Sequence, residues 1–244
     1  MAIKSKIYTI QKNDVDNVSI AIAEAHCEAE GLLLATWSSS FLLSNTLHKL
    51  EIDRAQLTQD RSNNYSVLEL GAGTGLTGLS AAAVWGTRSL LTDLPGIVPG
   101  LQVNVDLNDD AMSANGGAVA CGTLDWNKPD TIHLHVPGPD GRKTIEVDEK
   151  TKFPIVVAAD TMYTEDHPSL LSQMIVKCLR RTKTARAIVM WPLRIAYIDH
   201  IREFWDLMDA EGLVAEQEGR EEIDLKDWDD EKLHEWSVWK WKDV

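Results

Sequence analysis

An apolar run followed by a glycine cluster, VLELGAGTGLTG at residues 67–78, restricts the fold of this 244-residue chain more than any other feature. Four of its twelve positions are glycine. A strand that ends at Leu70 must turn sharply into a following helix, and glycine permits the positive φ angles of such a turn and the close approach of a ligand. The pattern predicts the strand–turn–helix unit of a parallel α/β sheet.

Short apolar runs alternate with helical patterns along the rest of the chain. One helical pattern starts at Leu76 and ends at Gly86, and another lies near Ile198 to Ala210. The last two strand candidates, within 213–244, have no helical pattern between them and are expected to pair antiparallel. The sequence predicts a Rossmann-like, doubly wound α/β sheet of seven strands, mostly parallel with a terminal antiparallel hairpin. Its five parallel strands are expected within 65–70, 88–92, 117–126, 153–160 and 185–191.

Length and composition favour a single domain over residues 1–244, because a 44% hydrophobic content supports one large core. Residues 1–50 are interpreted as an N-terminal extension with a helix capped by the serines after Trp37. Residues 132–147 replace an expected crossover helix with two alternating runs around a Pro-Gly-Pro-Asp-Gly turn, which predicts a hairpin insertion. Its two histidines alternate on an exposed hairpin, so we expect no metal site.

The net charge of −14 is concentrated near the C-terminal end. Residues 203–244 contain 15 acidic and 5 basic residues, a net of −10. Nucleic acid is not expected as a partner, because binding phosphates needs a basic footprint. The acidic region is either a solvated face or a field that attracts a basic protein substrate.

The sequence indicates neither a secretion signal nor a membrane-spanning segment. Residues 1–10 lack an apolar core, and no run approaches the ~18 apolar residues that span a bilayer. The three cysteines lie far apart without metal-site spacing, which indicates a reducing compartment. We therefore expect a soluble cytoplasmic protein, monomeric and without a membrane partner.

The glycine cluster fits two kinds of cofactor site. Gly73 to Gly78 gives the G-x-G-x-x-G of a dinucleotide site, whereas Glu69 to Gly75 gives the acidic–glycine ladder of an S-adenosylmethionine site. Asp93, at the end of the second strand, would bind the ribose hydroxyls of either cofactor. Glu69 does discriminate, because a carboxylate there can contact the cationic methionyl end of the methyl donor, directly or through water.

Acidic and aromatic residues follow the third and fourth strands. Asp125 and Trp126 would accept a hydrogen bond from the adenine amino group and stack on its ring, the alternative for Trp126 being an ordinary core position. Asp160 and Tyr163 follow the fourth strand, at the switch point where open α/β sheets bind ligands. We assign Asp160 to orienting the acceptor amine and Tyr163 to lining the methyl channel. Asp160 could instead only cap the next helix.

Together these segments resemble the seven-strand methyltransferases of the nicotinamide N-methyltransferase-like group, whose eukaryotic members are largely protein-lysine methyltransferases. The resemblance spans residues 31–192 and rests on GLLLATWSSSFLL, VLELGAGTGLTGL, LLTDLPGIVPGLQVNVDLN, LDW and VVAADTMY. The chain departs from the group where Trp37 is followed by three serines rather than by an acidic residue and alanines, and in the insertion at 132–147. The layout resembles most closely the fungal members that methylate a translation elongation factor.

The resemblance implies that Trp37 contacts the donor and that Ala159, with Tyr163, lines the pocket for donor and acceptor. Asp160 and Tyr163 are the predicted catalytic residues. The predicted cofactor-binding residues are Trp37, Glu69, Gly71, Ala72, Gly73, Gly75, Asp93, Asp125, Trp126 and Ala159.

The sequence therefore favours an S-adenosylmethionine-dependent enzyme that methylates a lysine on the basic surface of a cytosolic protein, an elongation factor being one candidate. Three alternatives stay open. A small-molecule N-methyltransferase would use the same donor site, and a non-catalytic binding protein would keep the fold. An NAD(P)-dependent oxidoreductase would leave Glu69, Trp126 and Asp160 without roles. The substrate and the degree of methylation are not encoded in any recognisable motif.

Overall fold

The computed structural model describes residues 5–24, 35–59, 65–135, 142–228 and 231–244. Cys27 and the predicted turn at 137–141 lie outside these ranges. Cys121 and Cys178 are buried and form no disulfide. Within the described ranges, no helix combines the length and apolarity needed to cross a membrane. The same ranges contain no group of three or more His, Cys, Asp or Glu side chains placed to hold a metal ion.

A large mixed sheet forms the centre of the described structure, and a two-stranded antiparallel sheet precedes it in the chain. The small sheet consists of β1 (Lys6–Gln11) and β2 (Asn17–Ile22). The strands of the large sheet are β3 (Val67–Leu70), β4 (Arg88–Asp93), β5 (Ala118–Thr123), β6 (Thr131–His135), β7 (Arg142–Glu146), β8 (Ile155–Ala159), β9 (Arg186–Pro192), β10 (Leu213–Glu222) and β11 (Leu233–Trp241).

The strand order of the large sheet is β10-β11-β9-β8-β3-β4-β5-β6-β7. Strands β9, β8, β3, β4 and β5 are parallel, and β10 and β11 form the predicted antiparallel hairpin. The predicted Rossmann-like, mostly parallel sheet is confirmed. The hairpin predicted at 132–147 forms β6 and β7, and it extends this sheet by pairing antiparallel with β5. The described sheet therefore has nine strands rather than seven, because the insertion occupies an edge that β5 would otherwise expose.

Helices cover both faces of the large sheet. One apolar core holds residues of α1, α3 and α4, and the other holds residues of α6 and α7. Val157 of β8 joins the first core and its neighbour Val156 the second, since successive side chains of a strand point to opposite faces. The doubly wound arrangement is thus confirmed. The helices are α1 (Ser38–Thr46), α2 (Arg54–Gln59), α3 (Leu76–Trp85), α4 (Val98–Leu107), α5 (Asp109–Ala114), α6 (His167–Cys178) and α7 (Ile198–Ala210).

The N-terminal extension contains a β-hairpin that was not predicted. In β1 and β2 alternate residues are buried, so that Tyr8, Ile10 and Ile20 pack into the first core. The side chain of Asn108 clamps β2, because it accepts a hydrogen bond from the Ala21 N–H at 2.8 Å and donates one to the Ala21 carbonyl at 2.7 Å. The hairpin therefore covers the helices of that face.

Candidate functional site

The glycine cluster forms a tight turn between β3 and α3. Gly71, Gly73 and Gly75 have φ angles of +64°, +54° and +82°, which residues with side chains rarely adopt. A Cβ on Gly75 would lie 2.6 Å from side-chain atoms of both Leu91 and Leu101, whereas a Cβ on Gly73 would meet no atom within 4 Å. Gly75 therefore lets the loop pack on the core, and Gly73 leaves open space where a ligand can approach the backbone.

Asp93, the last residue of β4, ties this loop to the neighbouring strand. Its carboxylate accepts hydrogen bonds of 2.7 Å from the backbone N–H groups of Gly73 and Leu94. The Ala72 N–H adds a bond of 3.0 Å to the Thr92 carbonyl. Burial raises the pKa of the Asp93 carboxyl, and the two hydrogen bonds from the backbone oppose that rise. Because carboxylate oxygens have further lone pairs, Asp93 can still accept hydrogen bonds from ribose hydroxyls.

Glu69 lies beneath the loop, against the first turn of α3. Its side chain is buried, and its carboxylate accepts a hydrogen bond of 3.0 Å from the Gly78 N–H. Removal from water is the largest cause that raises the pKa of Glu69 to about 8, and the charge of Asp93 adds to it, while the Gly78 bond acts in the opposite direction. Contact between Glu69 and the donor stays a prediction, since here the carboxylate touches the helix.

Trp126 lies beside the first glycine of the loop. Its ring atom Cζ2 would lie 3.5 Å from a Cβ on Gly71, and its ring meets the His167 ring edge-on at a centroid distance of 6.0 Å. Trp126 is only partly buried, so it borders the site as well as packing on the core. Asp125 closes the local turn, because its Oδ1 accepts a hydrogen bond of 2.9 Å from the Asn127 N–H. The adenine roles of both residues stay predictions.

Asp160 follows β8 directly, in an unusual backbone conformation. Among the described residues it is the only one besides glycine with a positive φ, +54°, a region that aspartate tolerates better than most residues. Its N–H still continues the ladder to β9, with a bond of 2.9 Å to the Met190 carbonyl. The alternative that Asp160 caps the next helix is wrong, because α6 begins only at His167. Its carboxylate bonds instead to Arg194 through two hydrogen bonds of 2.9 and 3.0 Å.

Tyr163 stands at the surface of the same segment. Its side chain is 47% exposed, and its ring packs perpendicular to the His167 ring at a centroid distance of 4.3 Å. The Tyr163 N–H also donates to Nδ1 of His167 at 3.3 Å. Burial lowers the pKa of His167. Ala159, the last residue of β8, is buried directly before this segment. Tyr163 therefore lies where solvent can reach its ring, and its role in lining a methyl channel stays a prediction.

Thr161, the residue after Asp160, packs against the glycine loop. Its methyl carbon would lie 2.9 Å from a Cβ on Gly71, so the chain after Asp160 abuts the glycine turn with no room for a side chain between them. Strand β8 pairs with β3 in parallel, which places both carboxyl ends at the same edge of the sheet. The structure thus brings the predicted donor and acceptor residues into one region, as expected for a switch point.

Trp37 precedes α1 and is 50% exposed. The predicted serine cap is wrong, since Trp37 itself occupies the N-cap position and no side chain caps this helix. Ser38 is buried and its Oγ shares a hydrogen bond of 2.7 Å with Nε2 of His234 on β11. The Arg194 guanidinium carbon lies 6.0 Å from the Trp37 ring centroid. Helix α1 is therefore anchored to β11, and its tryptophan faces the acceptor side.

Arg194 and His234 were not predicted as site residues. Arg194 carried a usable signal, because it follows the carboxyl end of the fifth parallel strand, as Asp160 follows that of the fourth. His234 carried none, since it lies on an antiparallel strand and nothing in its neighbourhood distinguishes it from a core residue.

The residues around the loop suit S-adenosylmethionine. Gly73 leaves an open space beside the backbone that a Cβ would fill. Asp93 beside it can accept hydrogen bonds from ribose hydroxyls. The Asp93 carboxylate also gives the region a negative character that favours a cationic donor. Trp126 adds an aromatic ring next to Gly71. The donor chemistry and this set of side chains therefore match.

Similar known proteins indicate the family to which the chain belongs. A model of the lysine methyltransferase family matches residues 14–196. The chain is similar to protein-lysine N-methyltransferase rrg1 of Schizosaccharomyces pombe, with 34% identity across 93% of this chain and 68% of that protein. It is also similar to protein-lysine N-methyltransferase EFM2 of Saccharomyces cerevisiae, with 32% identity across 87% of this chain and 49% of that protein. It thus spans about half of the second relative's length.

A solved structure shares the fold at low sequence identity. TYW2 of P. horikoshii in complex with MeSAdo has a TM-score of 0.53 and 9% identity, across 99% of this chain and 73% of that chain. The predicted fold, the methyl-donor cofactor and the methyltransferase activity are confirmed. The chain belongs to the lysine methyltransferase family.

Proposed function

We propose that this chain transfers a methyl group to the ε-amino group of a lysine in a basic region of another protein. The observation that carries the proposal is the position of Asp160 and Tyr163. They lie after β8, beside the glycine loop of β3, with Thr161 packed against Gly71. A donor held at Gly73 and an acceptor beside Tyr163 would then meet at one edge of the sheet.

The donor would be held by the loop and its neighbours. Gly73 would give the donor close access to the backbone, Asp93 would accept hydrogen bonds from the ribose, and Trp126 would stack on the adenine. S-adenosylmethionine supplies an electrophilic methyl group on a sulfonium centre when it is bound. Holding the methyl carbon and the attacking nitrogen in line is the main contribution that the protein makes, because displacement requires that geometry.

The acceptor lysine must be neutral when it reacts. Deprotonating an amine with a pKa of about 10.4 at pH 7 costs about 4.6 kcal/mol, at 1.36 kcal/mol per pKa unit. The nitrogen lone pair then forms the new N–C bond while the C–S electron pair stays on sulfur. Tyr163 would wall the channel and exclude water, and Asp160 would accept a hydrogen bond from the amine. Neither residue needs to act as a strong base.

The acidic region adds support for a basic protein substrate. His234 of β11 pairs with Pro192 at the end of β9, so the connection from β10 to β11 lies at the carboxyl edge of the parallel strands, as the proposed acceptor site does. Asp224 and Asp227 in this connection are exposed. Negative charge near the site would concentrate a cationic substrate and raise its association rate.

The names of the relatives support lysine as the acceptor, since rrg1 and EFM2 are both protein-lysine N-methyltransferases. That the substrate is an elongation factor, that it has a basic surface and that nucleic acid does not bind all stay predictions. The cytoplasmic location and the monomeric state expected from the sequence also stay predictions.

The proposal is tested by steady-state methyl transfer to a lysine-containing protein extract and to free small amines, each at low and high salt. We expect the extract to be the better acceptor and kcat/KM to fall steeply with added salt while kcat changes little. Preference for a free amine, together with a kcat/KM that does not change with salt concentration, would favour the small-molecule alternative.

A further inference from the structure

The ion pair between Asp160 and Arg194 has a geometry that surface pairs seldom show. The guanidinium donates two hydrogen bonds, Nη1 to Oδ1 at 2.9 Å and Nη2 to Oδ2 at 3.0 Å. The Asp160 side chain is only 5% exposed and that of Arg194 is 21% exposed. Two-point pairs of this kind fix both position and orientation. The carboxylate at the acceptor site is therefore already engaged by a cation.

The fold builds this pair from two adjacent parallel strands. Ala159 of β8 pairs with Met190 of β9, and each strand then places a charged residue just beyond its carboxyl end. The positive φ of Asp160 and the bond from its N–H to Met190 fix the carboxylate, while the Tyr197 N–H donates to the Arg194 carbonyl at 2.9 Å and shapes the turn on the other side. Both partners are thus held by backbone structure.

Aromatic rings flank the guanidinium. Its central carbon lies 6.0 Å from the Trp37 ring centroid and 5.9 Å from that of Tyr197. Cations are attracted to such ring faces, which adds to the hold on Arg194. Two separate parts of the chain, at Asp160 and at Trp37, therefore converge on this arginine. The neighbour of Trp37, Ser38, is in turn hydrogen-bonded to His234.

A bare carboxylate at the acceptor site would work against the chemistry. An opposite charge within a few ångströms raises the pKa of an amine, and each added unit lowers its neutral fraction about tenfold. A carboxylate already paired with a guanidinium carries almost no net charge as a unit, yet it keeps lone pairs that accept a hydrogen bond from the amine. Because it is paired with Arg194, Asp160 can orient the amine through a hydrogen bond without raising the pKa of the amine.

We propose that Arg194 is a positioning residue that holds Asp160 as half of a neutral ion pair, so that the acceptor lysine reacts as a free amine. The proposal rests on the proposed function, since it specifies how the acceptor site treats a lysine. Arg194 acts through Asp160 and needs no contact with the donor.

The test is the pH profile of kcat for Arg194→Met and Arg194→Lys, with a lysine-containing protein acceptor. In Arg194→Met the uncompensated carboxylate should shift the acid limb of the kcat profile to higher pH by about one unit. At a pH on that limb, kcat should fall about tenfold, and raising the pH should restore it. Arg194→Lys keeps the charge and should keep the limb near its wild-type position. Affinity for S-adenosylhomocysteine, measured by calorimetry, should stay within a few-fold in both variants.

The double variant Asp160→Asn/Arg194→Met removes both charges, so its acid limb should return towards the wild-type position even though its plateau is lower. Arg202→Met serves as the matched control, because Arg202 forms an exposed pair with Asp199 on α7. If Arg194→Met does not fold, Arg194→Gln, which also removes the charge, takes its place. An acid limb that stays at the wild-type pH in the folded single variant without the charge, Arg194→Met or Arg194→Gln, overturns the proposal. No transfer to lysine by wild-type protein at any pH overturns the proposed function instead, and this inference with it.

Discussion

Replacing Glu69 with glutamine should make the protein more stable at neutral and alkaline pH. Glu69 is buried under the glycine loop, where its pKa is raised to about 8 from an ordinary value of 4.5. A carboxyl group with a raised folded-state pKa stabilises the fold fully below the unfolded-state value. That contribution is lost as the pH rises from about 4.5 to about 8. Glutamine keeps an oxygen that can accept the Gly78 hydrogen bond and has no charge to bury.

The magnitude follows from the pH interval. At pH 7 the pH lies about 2.5 units above the unfolded-state pKa, and at 1.36 kcal/mol per unit the wild-type protein has lost about 3 kcal/mol that the glutamine variant keeps. At pH 5 the same reasoning gives under about 1 kcal/mol. For a domain of this length, 3 kcal/mol corresponds to roughly 6 °C or more in the melting temperature.

The measurement is thermal and urea unfolding of wild type and Glu69→Gln between pH 5 and pH 8.5 without ligand. The difference in unfolding free energy should grow with pH across this window in favour of glutamine. Glu203→Gln, an exposed change of the same kind on α7, should show no such growth. If the difference in unfolding free energy between Glu69→Gln and the wild type is the same at every pH, the idea that a buried carboxyl with a raised pKa lies beneath the loop is refuted.

Three further changes separate the roles of the loop and the acceptor site. Gly75→Ala should lower the unfolding free energy by about 2–4 kcal/mol in urea, because its φ is +82° and its Cβ would lie 2.6 Å from Leu91 and Leu101. Gly73→Val should instead abolish S-adenosylhomocysteine binding in calorimetry while the protein stays folded, and wild-type affinity would contradict the donor placement. Asp160→Asn should keep donor affinity within a few-fold but slow methyl transfer ~100-fold, and full turnover would remove Asp160 from the reaction.

Local chemistry made the central fold predictable. Three glycines between an apolar run and a helical pattern allow few structures other than the β3–α3 turn, and α7 (Ile198–Ala210) lies where a helix was predicted. The N-terminal hairpin was missed although its residues alternate, because it is short and a strand pair becomes stable only when its apolar face is covered. That cover comes from the first apolar core, and the side chains of Asn104 and Asn108, more than 80 positions away, accept hydrogen bonds from the hairpin backbone.

Within the site, too, features set by local sequence were predictable and contacts between distant elements were not. Asp160 and Tyr163 were predicted to lie beside the glycine loop because parallel strands present their carboxyl ends at one edge. The partner of Asp160 depends on which strand lies next to β8, and this is a property of sheet order rather than of local sequence. The contact of Glu69 with the donor stays a prediction, and its hydrogen bond from the Gly78 N–H of α3 was not predicted. Contacts between elements that are distant in the chain cannot be predicted from the sequence of one segment alone.

The most direct test of the central claim is to identify the residue that receives the methyl group. Purified protein is incubated with isotopically labelled S-adenosylmethionine and a protein extract, and the labelled proteins are digested and sequenced by mass spectrometry, with Asp160→Asn as the parallel sample. The account predicts label on the ε-nitrogen of a lysine flanked by basic residues, and little label in the Asp160→Asn sample. Label confined to small molecules or to residues other than lysine, or equal labelling by both proteins, would contradict it.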